Sequence, residues 1–191
     1  MASTLKIDTV TTPDGTGNIT FSRPIVGDGS NLTGISGGKC LQFLQFNYSA
    51  HTSSSTTSWA DTPLVIAITP TASTSKIWLT WNINVSGALN TAGMAFQATQ
   101  NGTIIHIGDV DGSFHRVTTQ IRPKNYDEYE FTTLTDSFLT DAVGSTSVQT
   151  FKLQWKRHWG STAMYLNRSQ DHASSDRPVG VSTISVMEIG A

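Results

Sequence analysis

Lys76-Ile77-Trp78-Leu79-Thr80-Trp81-Asn82-Ile83-Asn84-Val85-Ser86-Gly87 is the stretch that decides the fold. Ile77, Leu79, Trp81, Ile83 and Val85 are apolar, while Thr80, Asn82, Asn84 and Ser86 between them are polar. Side chains on a strand alternate faces, so the pattern gives one core face and one wet face, and an α-helix would scatter it. Trp78 alone breaks the rule by falling on the polar face.

Outward from this strand, most of the chain after residue 39 reads as its neighbours. Apolar runs occur at Cys40–Tyr48, Leu64–Ile68, Met94–Ala98, Met164–Leu166 and Val181–Ile189, with weaker ones at Tyr129–Thr133 and Phe138–Thr140. Phe151, Leu153 and Trp155 share one face of a further alternating run, so Trp81 and Trp155 are core candidates. Gln100-Asn101-Gly102-Thr103 separates Phe96 and Ala98 from Ile105 and Ile107, and Asn-Gly between strands signals a type I′ hairpin. Thr52–Thr57 reads as a Ser/Thr loop. No stretch has a helical period. About nine short strands predict an all-β fold, an antiparallel β-sandwich of jelly-roll or related topology over residues 40–191.

Composition agrees. Ser (22) and Thr (28) supply 50 of 191 residues and only 14% are charged, so hydroxyls rather than charges keep the surface wet. A net charge of −2 gives no electrostatic footprint for nucleic acid or an anionic membrane. No apolar run approaches the roughly 20 residues of a membrane helix. The N-terminal residues lack the apolar core of a secretion signal, so synthesis in a cytoplasm is expected. Cys40 is the one cysteine, which excludes an intrachain disulfide; opening an apolar strand, it reads as a small core residue.

Residues 1–39 have a different texture. Leu5, Ile7 and Val10, then Ile19 and Phe21, then Leu32 and Ile35 are short apolar pieces parted by Pro13-Asp14-Gly15, Gly17-Asn18 and Gly27-Asp28-Gly29. Such pieces must bury themselves against the head, another protein or copies of themselves. This segment is expected to be an extended arm.

Thr4-Leu5-Lys6-Ile7-Asp8-Thr9-Val10, Gly17-Asn18-Ile19-Thr20-Phe21-Ser22 and Gly27-Asp28-Gly29-Ser30-Asn31-Leu32-Thr33-Gly34-Ile35 together resemble the N-terminal segments of tailed-bacteriophage fibre and appendage proteins. The closing Val181-Ser182-Thr183-Ile184-Ser185-Val186-Met187-Glu188-Ile189-Gly190 is similar to the last strand of the jelly-roll-like domain that such proteins often carry. The resemblance implies a homotrimer on the virion surface, with residues 1–39 for anchoring and trimerisation. Ile7, Val10, Ile19, Phe21 and Leu32 would then line a threefold axis or partner contact, with Trp78 and Trp159 as exposed aromatics at an interface. Other particle proteins would hold the arm, and a host polysaccharide or protein would meet the heads.

Chemistry is thin. Gly108-Asp109-Val110-Asp111-Gly112 lacks the further ligands of a calcium loop and has the composition of a tight turn. His106 follows the hairpin near Asp109 and Asp111, where a small metal or sugar site competes with that turn reading. No histidine pair has helical metal spacing, and no nucleophile elbow, phosphate loop or dinucleotide fingerprint occurs. No catalytic residue, metal site or cofactor is therefore assigned. Charge gathers in 109–130, where Asp109, Asp111, Arg116, Arg122 and Tyr126 form a candidate receptor-facing loop. The expected function is a non-enzymatic short tail fibre or receptor-binding module. The rivals are a trimeric capsid decoration protein and, more distantly, a capsule-degrading enzyme using carboxylates such as Asp127 and Glu128.

Overall fold

Alternation in the sequence becomes alternation in burial over Lys76–Ile83, but Asn84 and Ser86, expected on the wet face, are buried as well. A computed structural model describes residues 39–87, 92–122 and 129–190. The chain divides into Met1–Ile35 and Ser36–Ala191, and all described residues belong to the second unit. The expected arm residues Ile7, Val10, Ile19, Phe21 and Leu32, together with Tyr126, Asp127 and Glu128, lie outside the described residues.

The described strands are β1 (Cys40–Tyr48), β2 (Thr52–Ser54), β3 (Ala60–Ile68), β4 (Lys76–Gly87), β5 (Ala92–Gln100), β6 (Thr103–Ile105), β7 (Thr119–Ile121), β8 (Thr132–Leu139), β9 (Gln149–Gly160), β10 (Met164–Leu166) and β11 (Ser182–Ile189). There is no helix among the described residues. All pairings are antiparallel, and the strands form two sheets. In the first, β4 is central: β8 lies on one edge, and β11 and then β10 share the other. β1 pairs with β11, and β2 pairs with β10. The second runs β3-β9-β5, with β6 and β7 pairing in turn along the far edge of β5.

The sheets meet face to face. Ile77, Leu79, Trp81, Ile83 and Val85 of β4 pack with Leu64, Ile66, Ile68, Met94, Phe96, Phe151, Leu153, Trp155, Ile184 and Val186 in one core. Burying an aliphatic or aromatic side chain of this size contributes about 1.5–3 kcal/mol, so this layer is the main source of stability. The Asn101-Gly102 turn is as the sequence requires, with φ of 51° and 84°.

Four expectations need correction. Cys40 is exposed, because β1 is an edge strand that the core does not enclose at its start. Thr52–Ser54 is a strand, drawn into the sheet by β10. The two weak runs around 129–140 merge into the single strand β8, whose ladder with β4 spans Trp78–Val85. The hairpin's second strand ends at Ile105, because His106 takes a φ of 49°, which terminates the ladder.

Candidate interaction surfaces

The two long sides of the sandwich differ in chemistry. On one side lies β1, which among the described residues pairs only with β11. Its sequence, CLQFLQFNY, has no charged residue. Leu41, Phe43, Leu44 and Phe46 are all exposed, Phe43 to 53%. Phe43 sits opposite Met187 on the outer face, whereas Leu44 and Phe46 sit opposite the buried Val186 and Ile184 and so point to the inner face. An apolar edge strand exposed on both faces, without charge or proline, is what a monomeric protein avoids. By contrast, the edge strand β3 of the other sheet carries Asp61 and Pro63, although both edges have a register shift, between Cys40 and Gln42 in β1 and between Asp61 and Val65 in β3.

The outer face of the first sheet continues this theme. Phe43, Met187, Trp78 and Leu139 are successive cross-strand partners and form one apolar rung across β1, β11, β4 and β8. The next two rungs are Gln45, Ser185, Thr80, Ser137 and Asn47, Thr183, Asn82, Thr135. None of these positions is charged. Trp78 is 43% exposed, and its indole N–H donates to the Thr80 hydroxyl at 3.0 Å, which fixes the ring along the strand.

The start of β1 is braced from inside. Glu188 is fully buried, accepting from Gln42 Nε2 at 2.6 Å and from the Thr71 N–H and hydroxyl at 2.8 and 2.7 Å. Burial pushes this carboxyl up, but the nearby Ser75 hydroxyl and the hydrogen bonds from Thr71 and Gln42 outweigh it and hold the pKa at about 2. Gln42 also donates to the Thr69 carbonyl, so one side chain links β1, β11 and the connection from β3 to β4.

On the opposite side, residues 106–118 leave the sheet between β6 and β7. The loop closes on itself through Gly108 N–H to Val117 O and Arg116 Nε to Gly108 O, and a turn joins Phe114 N–H to Asp111 O. Gly112 takes φ 52° in that turn, which spans Asp111–Phe114, so only the end of the Gly-Asp-Val-Asp-Gly segment forms the turn expected of it. Asp109, Asp111 and Arg116 are exposed here, and Arg116 is tied to its own backbone. The apolar tip was not foreseen: Val110 and Phe114 are exposed to 73% and 77%. His115 meets His158 of β9 edge-on at 4.2 Å; burial, then His115 and Lys156, push the His158 pKa down.

Arg122 and Trp159 form a separate pair, guanidinium over indole at 3.6 Å, where β9 ends opposite Gly93. Trp78 and Trp159 lie on different sheets, so they do not make one patch. His106 is not with Asp109 and Asp111 in a site. Its ring stacks on Phe138 of β8 at 4.3 Å and 6°, with Nε2 3.5 Å from Asp136. Among the described residues no group of three or more His, Cys, Asp or Glu side chains is placed to hold a metal ion. No protein-family model matches the sequence, and a search of curated proteins returns no match.

Proposed function

We propose that this chain is a structural protein of a tailed-bacteriophage particle, displayed on the virion surface as a homotrimeric short tail fibre or receptor-binding module. One observation carries the reading: the uncharged apolar edge, β1, follows directly on residues 1–39, and the projecting loop 106–118 lies on the opposite side of the sandwich. Self-association through β1 buries Leu41, Phe43, Leu44 and Phe46, and it leaves the loop free to contact a host surface. Weak contacts repeated on linked heads add through effective concentration.

Strand order supports a jelly roll. If β6 and β7 count as one interrupted strand and the short β2 and β10 are set aside, eight strands divide into two four-stranded sheets in orders 1-8-3-6 and 2-7-4-5. Two Greek keys produce that order. The N-terminal motifs resembling phage fibre stalks add the particle context, with residues 1–39 as the anchoring arm.

Gold-antibody labelling of intact virions tests the proposal. Label confined to the tail is the expected result. Label over the head would replace it with capsid decoration, and unlabelled virions would refute a place on the particle surface.

A further inference from the structure

A cleft of about 330 Å³ opens at the sandwich edge between β6 and β8, lined by Gln100, Ile105, His106, Phe138, Leu139 and the Thr140-Asp141 pair. We propose that this cleft binds one neutral pyranose unit of a glycan, with Trp78 as the platform for the next unit. The inference rests on the receptor-binding reading and gives it a site and a ligand class.

Three features carry it. The first is a chain of rings running from the core to the surface. Trp81, fully buried, meets Phe138 edge-on at 6.1 Å, and Phe138 in turn stacks flat on His106. Phe138 is thereby anchored, and the imidazole is held at the mouth. The second is backbone conformation: His106 keeps a φ of 49°, a left-handed conformation that few non-glycine residues adopt, and the ring is held there by Phe138 and Asp136. Strained backbone of this sort gathers at functional sites.

The third is the lining itself. Ile105, Phe138 and Leu139 give an apolar wall, while Gln100, Thr140, Asp141 and the nearby Asp136 supply amide, hydroxyl and carboxylate oxygens. A pyranose has that division, with C–H faces on one hand and hydroxyl edges on the other. Carboxylates accept from hydroxyls and repel an anionic sugar, so the chemistry selects a neutral unit. Leu139 lines the cleft and is also the cross-strand partner of Trp78, which connects the cleft to the fixed, exposed indole on the outer face. On one side of Trp78 that face continues into the two uncharged rungs of Asn, Gln, Ser and Thr, with Lys76 on its other flank, so a neutral chain would lie along those rungs.

Protein-observed NMR with glucose, galactose and mannose, each also as a β-linked trisaccharide, tests the site, with glucuronic acid as the anionic comparison. The expected result is that at least one neutral sugar shifts resonances of His106, Thr140 and Asp141 with a dissociation constant of about 1 mM or weaker. Its trisaccharide should also perturb the Trp78 indole N–H, and glucuronic acid should leave all of these unmoved. His106→Asn suits the positive φ and keeps the backbone, and Asp141→Asn changes an exposed position. Each should weaken binding about tenfold, about 1.4 kcal/mol, without altering the fold.

Saturable binding of a neutral sugar that both variants leave unchanged overturns the assignment, as does equal binding of glucuronic acid. No shift with any neutral sugar up to about 100 mM overturns it too. The two readings fail separately. Tail labelling without sugar binding leaves the particle role standing and removes this site, whereas sugar binding by a protein that no virion carries does the reverse.

Discussion

Glu188→Gln keeps the shape of a fully enclosed side chain while removing its charge. In the native protein the carboxyl is held at about 2, against an ordinary value of 4.5, because the nearby Ser75 hydroxyl and the hydrogen bonds from Thr71 and Gln42 favour the ionised form. Each tenfold change in acidity corresponds to about 1.4 kcal/mol, so the ionised form contributes about 3 kcal/mol near neutrality as an upper figure. The sign follows from the depression. As pH falls, the unfolded chain takes up the proton first, so the contribution is complete above about pH 4.5 and declines towards pH 2. The glutamine variant has no such dependence, and its NH2 group must point a donor at the Gln42 amide or the Thr71 N–H. Urea unfolding followed by tryptophan fluorescence at several pH values between about 7 and 2 measures both proteins. The native protein should be more stable by about 2–3 kcal/mol at neutral pH, and the gap should close through the interval from about 4.5 to 2. A gap that stays constant across that interval would falsify the argument, since it would come from packing rather than charge.

Three other substitutions probe different parts of the same head. Gly180→Ala would bring its Cβ to 2.9 Å from Asn84 Nδ2 and 3.0 Å from Phe131, so thermal unfolding should show a loss of about 1–3 kcal/mol. Asn167→Ala should cost about 2–4 kcal/mol in the same assay. The buried amide donates to the Tyr48 and Ala50 carbonyls and accepts from Ser182, and all three would lose their partner. Phe46→Lys places a charge on the β1 edge; light scattering should show the assembly falling to monomer while circular dichroism keeps its sheet signal. An unchanged mass would remove β1 from the interface.

Legibility in the sequence followed the length scale of each feature. Ile77–Val85 declared its buried face because two-residue periodicity is a local property of the strand, and Asn101-Gly102 declared its turn because few residues accept positive φ twice running. β2 (Thr-Ser-Ser) and β7 (Thr-Gln-Ile) were not legible, since three mostly polar residues show neither a period nor the apolar run that marked Met164–Leu166; β10 and β5 recruit them. Cys40 was misread because residue type reports apolarity, not whether a neighbouring strand is present to cover it. The His106 cleft joins residues about thirty positions apart through a positive φ that no histidine advertises. Val110 and Phe114 carried a signal that went unused: large apolar residues inside a Gly/Asp turn have no core to enter.

The two sides of the sandwich constrain each other. A sheet edge is consumed when it pairs or packs, so a copy docked on β1 cannot also be reached by a ligand there. The first sheet runs from β1 through β11 and β4 to β8, which puts the cleft at the edge that such docking leaves open. Trp78 lies between them, one strand from the cleft and two from β1. Under the proposed assembly and sugar site, the rung divides by position, with Phe43 and Met187 on the assembly side and Trp78 and Leu139 on the ligand side. Phe46→Lys should accordingly abolish assembly yet leave the affinity of a single head for the sugar unchanged. Glu188→Gln acts differently, because its carboxylate holds Gln42 at the root of β1 and so supports the edge proposed for assembly. Loss of sugar affinity in isolated Phe46→Lys heads would mean that the cleft is completed by a neighbouring copy, and the separation of the two edges would fail.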